Sequence, residues 1–136
     1  MLVTRLCGNV WLTTLNDIIG SVVSQNKTPF GYKMVIPSDT TAFFSTKNED
    51  EAHYLCAIIN STPVREFIKS YSSAGRGFGA PSVMNHVGIP KFNPINKLHQ
   101  KLAQLSKTLH DLKAKGKSDE VPPSEREVDR LVYKLF

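Results

Sequence analysis

The sequence predicts an α+β fold: a twisted, mainly antiparallel sheet from the N-terminal half, a helix pair packed on it, and a C-terminal helical hairpin. Three observations predict it. Residues 1–46 break into short runs rich in Val, Ile, Thr and Phe, divided by turn residues. At Asn48 the apolar spacing becomes helical. The last third carries two amphipathic stretches joined by a polar, proline-bearing connector.

In order, the strand-like runs are Leu2–Cys7, Val10–Leu12, Ile18–Val23, Lys33–Ile36 and Thr41–Phe44. Turns are expected at Gly8-Asn9, Asn16-Asp17, Asn26–Pro29 and Pro37–Asp39, where Gly, Pro, Asn and Asp favour bent backbone. Asn48 can cap a first helix, with Glu51 three residues on completing a capping box. Ala52, Leu55, Cys56 and Ile59 then give it one apolar face. Thr62 is expected to cap a second helix, whose first turn accommodates Pro63 because the missing N–H is not needed there. Val64, Phe67, Ile68 and Tyr71 form its expected buried stripe, and Arg65 and Lys69, four apart, share another face.

A serine- and glycine-rich loop (Ser70–Pro81) follows, then an expected strand from Val83 to Ile89 closed by Pro90. The longest helix is expected over about Ile95 to Lys115. Leu98, Leu102, Leu105, Leu109 and Leu112 repeat at spacings of 4, 3, 4 and 3, a seam too short for an independent coiled coil. Gly116 ends it, Lys117–Pro123 connects, and Ser124 with Glu127 suggests a capping box for a last helix. Val128, Leu131, Val132 and Leu135 line that helix.

A chain of 136 residues is long enough for one core, and residues 1–136 read as one domain. Within it, residues 1–92 hold the sheet, helix pair and glycine loop, and residues 93–136 the helical hairpin. No run of eighteen apolar residues is present, which excludes a membrane-spanning helix. The N-terminus lacks the regions of a signal peptide. Cys7 and Cys56 lie in apolar runs and read as reduced core residues of a cytoplasmic protein. Strand-like sequence at one end and a helical pattern at the other, with no polar tails, give the expectation of a piece of a longer polypeptide.

Charge is distributed unevenly. From Val64 to Lys101 there are six cations (Arg65, Lys69, Arg76, Lys91, Lys97 and Lys101) against the single carboxylate Glu66, a net +5 that equals the charge of the whole chain. Clustered cations beside a small-residue loop suit a polyanion.

Catalytic and metal motifs are lacking. Gly75, Gly77 and Ala80 mimic a dinucleotide fingerprint, but a helix precedes them and Pro81 follows, the reverse of what that site requires. No Lys-Ser/Thr pair completes a phosphate loop. His53 and Cys56 could seat two metal ligands on one helix, yet no second pair is evident, and a core or surface role is favoured. Ser72 and Ser73 lack a nucleophile context.

Two stretches carry a resemblance. Glu51-Ala52-His53-Tyr54-Leu55-Cys56-Ala57-Ile58-Ile59-Asn60-Ser61 and Ile89-Pro90-Lys91-Phe92-Asn93-Pro94-Ile95-Asn96-Lys97-Leu98-His99, with the glycine loop between, resemble the C-terminal target-recognition (specificity) domain of adenine-specific DNA methyltransferases of type II restriction–modification systems. That domain is related to type I specificity subunits. The resemblance covers about residues 48–115 well and the β region more loosely.

It implies a module that binds double-stranded DNA and is not itself catalytic. The Asn/Asp-Pro-Pro-Tyr/Phe tetrapeptide of the catalytic half is missing, so S-adenosylmethionine is expected only in a separate catalytic domain, of the same or a partner chain, with or without a nuclease. On this reading Arg65, Lys69, Lys91 and Lys97 hold phosphates, contacts that set register. Arg76 reads a base at the loop tip, since a guanidinium can pair bidentately with guanine. Ser72, Ser73 and Asn85 supply lesser hydrogen bonds. The alternative is a protein–protein assembly module that uses the leucine-rich C-terminal helix.

Overall fold

The computed structural model describes residues 8–13, 19–23, 26–33, 41–71 and 86–136. The chain is α+β. Its strands are β1 (Gly8–Thr13), β2 (Ile19–Val23), β3 (Asn26–Thr28), β4 (Gly31–Lys33) and β5 (Thr41–Thr46). Its helices are α1 (Glu49–Asn60), α2 (Thr62–Tyr71), α3 (Lys97–Ala114) and α4 (Val121–Leu135), with a 3₁₀ turn at Ser118–Glu120 before α4.

β1 pairs antiparallel with both β2 and β5, in the order β2-β1-β5; Val10 lies opposite Val22 on one side and Phe44 on the other. β3 and β4 form a separate two-stranded hairpin. Gly8-Asn9 and Asn26–Thr28, expected as turns, are strand instead. Ladder bonds are main-chain bonds and recruit polar residues once neighbouring segments pair. The turn moves to Pro29-Phe30, where proline fixes φ and Gly31 takes φ 99°. The expected run Leu2–Cys7 and the turns at Asn16-Asp17 and Pro37–Asp39 lie outside the described residues.

α1 is the centre of the core. Ala52, Tyr54, Cys56, Ala57, Ile58 and Ile59 are buried, far more of its circumference than the single face expected. The reason is its position: it packs against β1, β2 and β5 as well as against the other helices. Its N-terminus is capped as expected, the Asn48 side chain accepting from the backbone of Asp50 and Glu51. The box closes through an intermediary. Thr46 Oγ1 donates to Glu51 Oε2 (2.6 Å) and accepts from the Asn48 N–H (3.1 Å), so the hydroxyl relays what Glu51 was expected to do directly.

β2 is an edge strand, and edges expose unpaired N–H and C=O groups. Here two helix side chains occupy them. The Gly20 N–H donates to Asn60 Oδ1 and Asn60 Nδ2 donates back to the Gly20 carbonyl, both at 2.7 Å. The Val22 N–H donates to His110 Nε2 (3.1 Å), while His110 Nδ1 donates to the Ser106 carbonyl (2.7 Å). One amide and one imidazole thus fasten α1 and α3 to the sheet.

α2 starts at Thr62 rather than after it. Its cap is tertiary: Asp129 Oδ1, from α4, accepts the Thr62 N–H at 2.8 Å. A carboxylate suits the positive end of a helix. Asp129→Ala is expected to cost about 1 kcal/mol in urea unfolding, the usual loss on removing a cap. Val64 and Ile68 are buried as expected, but Phe67 is 42 % exposed, in an apolar groove with Pro63, Tyr133 and Phe136. The side chain of Tyr71 lies outside the described residues.

The strand expected over Val83–Ile89 is not formed in its described part. His86 and Val87 are helical, and Gly88 follows at φ 64°, a left-handed conformation that terminates a helical turn.

α3 ends as Gly116 predicts. At φ 69° it lets its own N–H reach the Lys113 carbonyl and that of Lys117 reach Leu112, closing a Schellman motif. The connector to α4 is shorter than expected, because Pro122 and Pro123 fall within the first turn of α4 and Ser124 lies inside the helix. Proline's fixed φ begins a helix as readily as it breaks one. Glu127 is accordingly not a capping residue. It takes hydrogen bonds from Arg130 and Lys101 at 2.7 Å, which pull its carboxyl down to about 2.

Candidate nucleic-acid interface

The segment Pro90–Lys97 is held by the core from beneath. The Tyr54 hydroxyl donates to the Pro90 carbonyl (2.9 Å), and its ring stacks on His99 with centroids 4.5 Å apart and planes 26° apart. Phe92 packs on the same tyrosine at 5.4 Å. The Asn93 N–H donates to His99 Nδ1 (3.0 Å), an acceptor that only a neutral imidazole offers at that nitrogen. Burial lowers the His99 pKa and favours that form.

The turn is built from asparagines. Asn93 Oδ1 accepts from the Ile95 N–H, Asn96 Oδ1 from the Leu98 N–H, and Gln100 Nε2 donates to the Pro94 carbonyl. Most residues of the Ile89–His99 stretch therefore have structural tasks. Those left facing solvent are chiefly Lys91, Ile95 and Lys97, with Ile95 86 % exposed. Ile95 lies outside the helix expected to begin with it, because Asn96 is the cap.

Lys97 opens α3, whose first turn contains no acidic residue, so its charge adds to the positive end of the helix. The further lysines of α3, and Lys117 just beyond it, are matched. Lys101 pairs with Glu127 (2.7 Å), Lys107 with Asp50 (2.6 Å), Lys113 with Glu125 (3.3 Å) and Lys117 with Glu120 (3.5 Å). Among the described residues neither Lys91 nor Lys97 stands in an ion pair. Of the six cations in the basic stretch, Lys101 thus has its charge answered within the fold.

Arg65 and Lys69 are half-buried on α2. Arg65 lines a cleft of about 330 Å³ together with Asn60, Thr62, Lys113, Glu125 and Asp129, over a floor that includes Ala57, Leu109 and Val128. Two carboxylates in that wall make Arg65 a different kind of cation from the exposed Lys91. Ser72, Ser73, Arg76 and Asn85 lie outside the described residues.

His53 and Cys56 sit at the interface of α1 with α3. His53 Nδ1 is 3.0 Å from Ser106 Oγ, and its ring meets His110 edge-on at 4.9 Å. Cys56 Sγ accepts from Asn60 Nδ2 (3.3 Å), and burial pushes the thiol up to about 11, leaving it protonated and unreactive. Both are core side chains, which the sequence favours for Cys56 and leaves open between core and surface for His53. What the sequence did not reveal is the Tyr54–His99 stack. The available signal was an aromatic residue inside a helix otherwise lined by small and aliphatic side chains, but its partner is 45 residues away. Among the described residues no helix is long and apolar enough to cross a membrane. Comparison with protein-family models, with curated proteins and with solved structures finds nothing that matches this chain.

Proposed function

We propose that the chain is the sequence-specific DNA recognition module of a restriction–modification adenine methyltransferase, non-catalytic by itself. The observation that carries this reading is the pair Lys91 and Lys97, exposed and unmatched on a rigidly anchored turn while the lysines of α3 beyond them are neutralised. A preorganised pair of cations beside a helix N-terminus favours phosphate. The proposal includes a twisted, mainly antiparallel sheet as the platform for the helix pair and hairpin. It also includes a catalytic domain, in the same or a partner chain, that holds S-adenosylmethionine in the cytoplasm. Arg65 and Lys69 would supply further backbone contacts, and Arg76, with Ser72, Ser73 and Asn85, the readout of bases.

The assembly alternative has less support. Leu98, Leu105 and Leu109 pack against the chain's own core, which leaves α3 little leucine surface for a partner.

Binding of labelled duplex DNA, followed by anisotropy from low to physiological salt, tests the proposal. Lys91→Ala and Lys97→Ala should each lower the slope of log K against log salt by about 0.9, and weaken different sequences alike. Salt-independent binding, or a slope unchanged in the double variant, would refute it.

A further inference from the structure

The hairpin of β3 and β4 stands apart from the three-stranded sheet, and its tip carries the most exposed large apolar side chain among the described residues, Phe30, at 88 %. Isolated surface apolar residues are common, so exposure alone decides nothing. Two further features do. The tip is locked: Thr28 Oγ1 donates to the Gly31 carbonyl (2.8 Å) and accepts from the Phe30 N–H (3.2 Å), with Pro29 fixing φ just before the phenylalanine. The ring is therefore presented on a prepared turn. The hairpin's sequence is also cationic. Between Asp17 and Asp39 the chain has Lys27 and Lys33 and no carboxylate side chain, and Lys33 is exposed.

A rigid aromatic tip on a basic two-stranded ribbon matches one partner chemistry closely. A polyanion attracts the lysines, and a stack of flat apolar bases receives the ring. Apolar wedges enter DNA between base steps at the cost of unstacking them, and aromatic rings recover part of that cost by stacking on the exposed base. A protein partner would offer the ring a pocket but has no inherent reason to favour a hairpin free of acids.

We propose that Phe30 is a stacking wedge: the β3–β4 hairpin enters duplex DNA and places the ring against a base at an opened step, with Lys33 on the adjoining backbone. This rests on the DNA-binding reading above and assigns a second, separate contact to it. It also suits chemistry on an adenine, because a base that must leave the stack leaves a gap for such a ring to fill.

The test compares three 20-base-pair duplexes of one sequence: fully matched, with a single mismatch, and with a single abasic site. A ring that fills a gap gains most where the gap already exists. The chain should bind the abasic duplex about 10-fold more tightly than the matched one, in the range that a stacked aromatic supplies. Phe30→Ala should abolish that preference, and Phe30→Trp should retain it. In a Trp11→Phe background, the new tryptophan should be quenched on binding. Because the ring is exposed, Phe30→Ala should leave the thermal midpoint unchanged.

If salt-dependent binding persists but the abasic preference is absent, or survives in Phe30→Ala, the wedge is refuted and the DNA reading stands. If no duplex binds at any salt concentration, both fall. If Phe30→Ala instead abolishes capture of a protein while DNA binding is unaltered, the tip is a protein contact and the proposal is overturned.

Discussion

Lowering the pH from 6.5 to 4 is expected to remove about 3 kcal/mol of folding stability through His53 alone, at about 1.4 kcal/mol per pH unit. The imidazole is almost wholly buried, and its pKa is lowered from 6.5 to about 4, first by burial and then by the electrostatic influence of His110 and Lys107. Asp50 and Asp111 act in the opposite sense, while the Glu49 carboxylate, 3.9 Å away, is largely in water. The sign follows from proton uptake. Below pH 6.5 the unfolded chain takes up a proton at this residue, whereas the folded chain refuses it until about pH 4. Stability is therefore complete above pH 6.5, falls through the interval, and falls no further on this account below it. His99, also lowered by burial, adds in the same direction. Urea midpoints at half-unit intervals measure the slope. His53→Gln, which keeps a polar group near Ser106, should flatten it by more than half. A slope that His53→Gln leaves intact would assign the acid sensitivity to other groups.

Leu102→Ala is expected to destabilise the chain by about 4 kcal/mol, and Leu105→Ala by about 2 kcal/mol, within the range for deleted core leucines. The regular seam of five leucines implies equal burial, but the fold does not treat them equally. Leu102 is completely inaccessible, whereas Leu98, Leu105 and Leu109 are partly buried on its flanks and Leu112 is half-buried. α3 is rotated so that His99, Leu102, Ala103 and Ser106 face inward, positions spaced 3, 1 and 3 apart that make one stripe. Two of the four are polar and have partners: His99 takes the Asn93 N–H, and Ser106 meets His53. Ala103 allows close approach. Equal losses at positions 102 and 105 in chemical denaturation would contradict this orientation.

That difference marks where the sequence stops being sufficient. Local chemistry was legible wherever a residue acts on its own neighbours. Asn48 as a cap, Gly116 as a stop and Pro63 within a first turn all read correctly, because each acts within four residues along the chain. So did the α+β division, since the change in apolar spacing at Asn48 is a property of the strand and the helix themselves. The basic stretch was visible as charge, but which of its cations are neutralised was not. Lys101 meets Glu127 across 26 residues, and no local rule brings them together. The same holds for the cap that Asp129 provides to Thr62 and the imidazole of His110 on the edge of β2. Each is a polar group whose partner is chosen by packing. A buried donor or acceptor must be satisfied, but any group of the right chemistry can satisfy it. The sequence alone determined which residues needed partners and which backbone conformations were permitted. The tertiary structure decided who those partners are, because apolar burial is non-directional and brings the layers together first, and only then do hydrogen bonds, which demand direction, select among the side chains within reach.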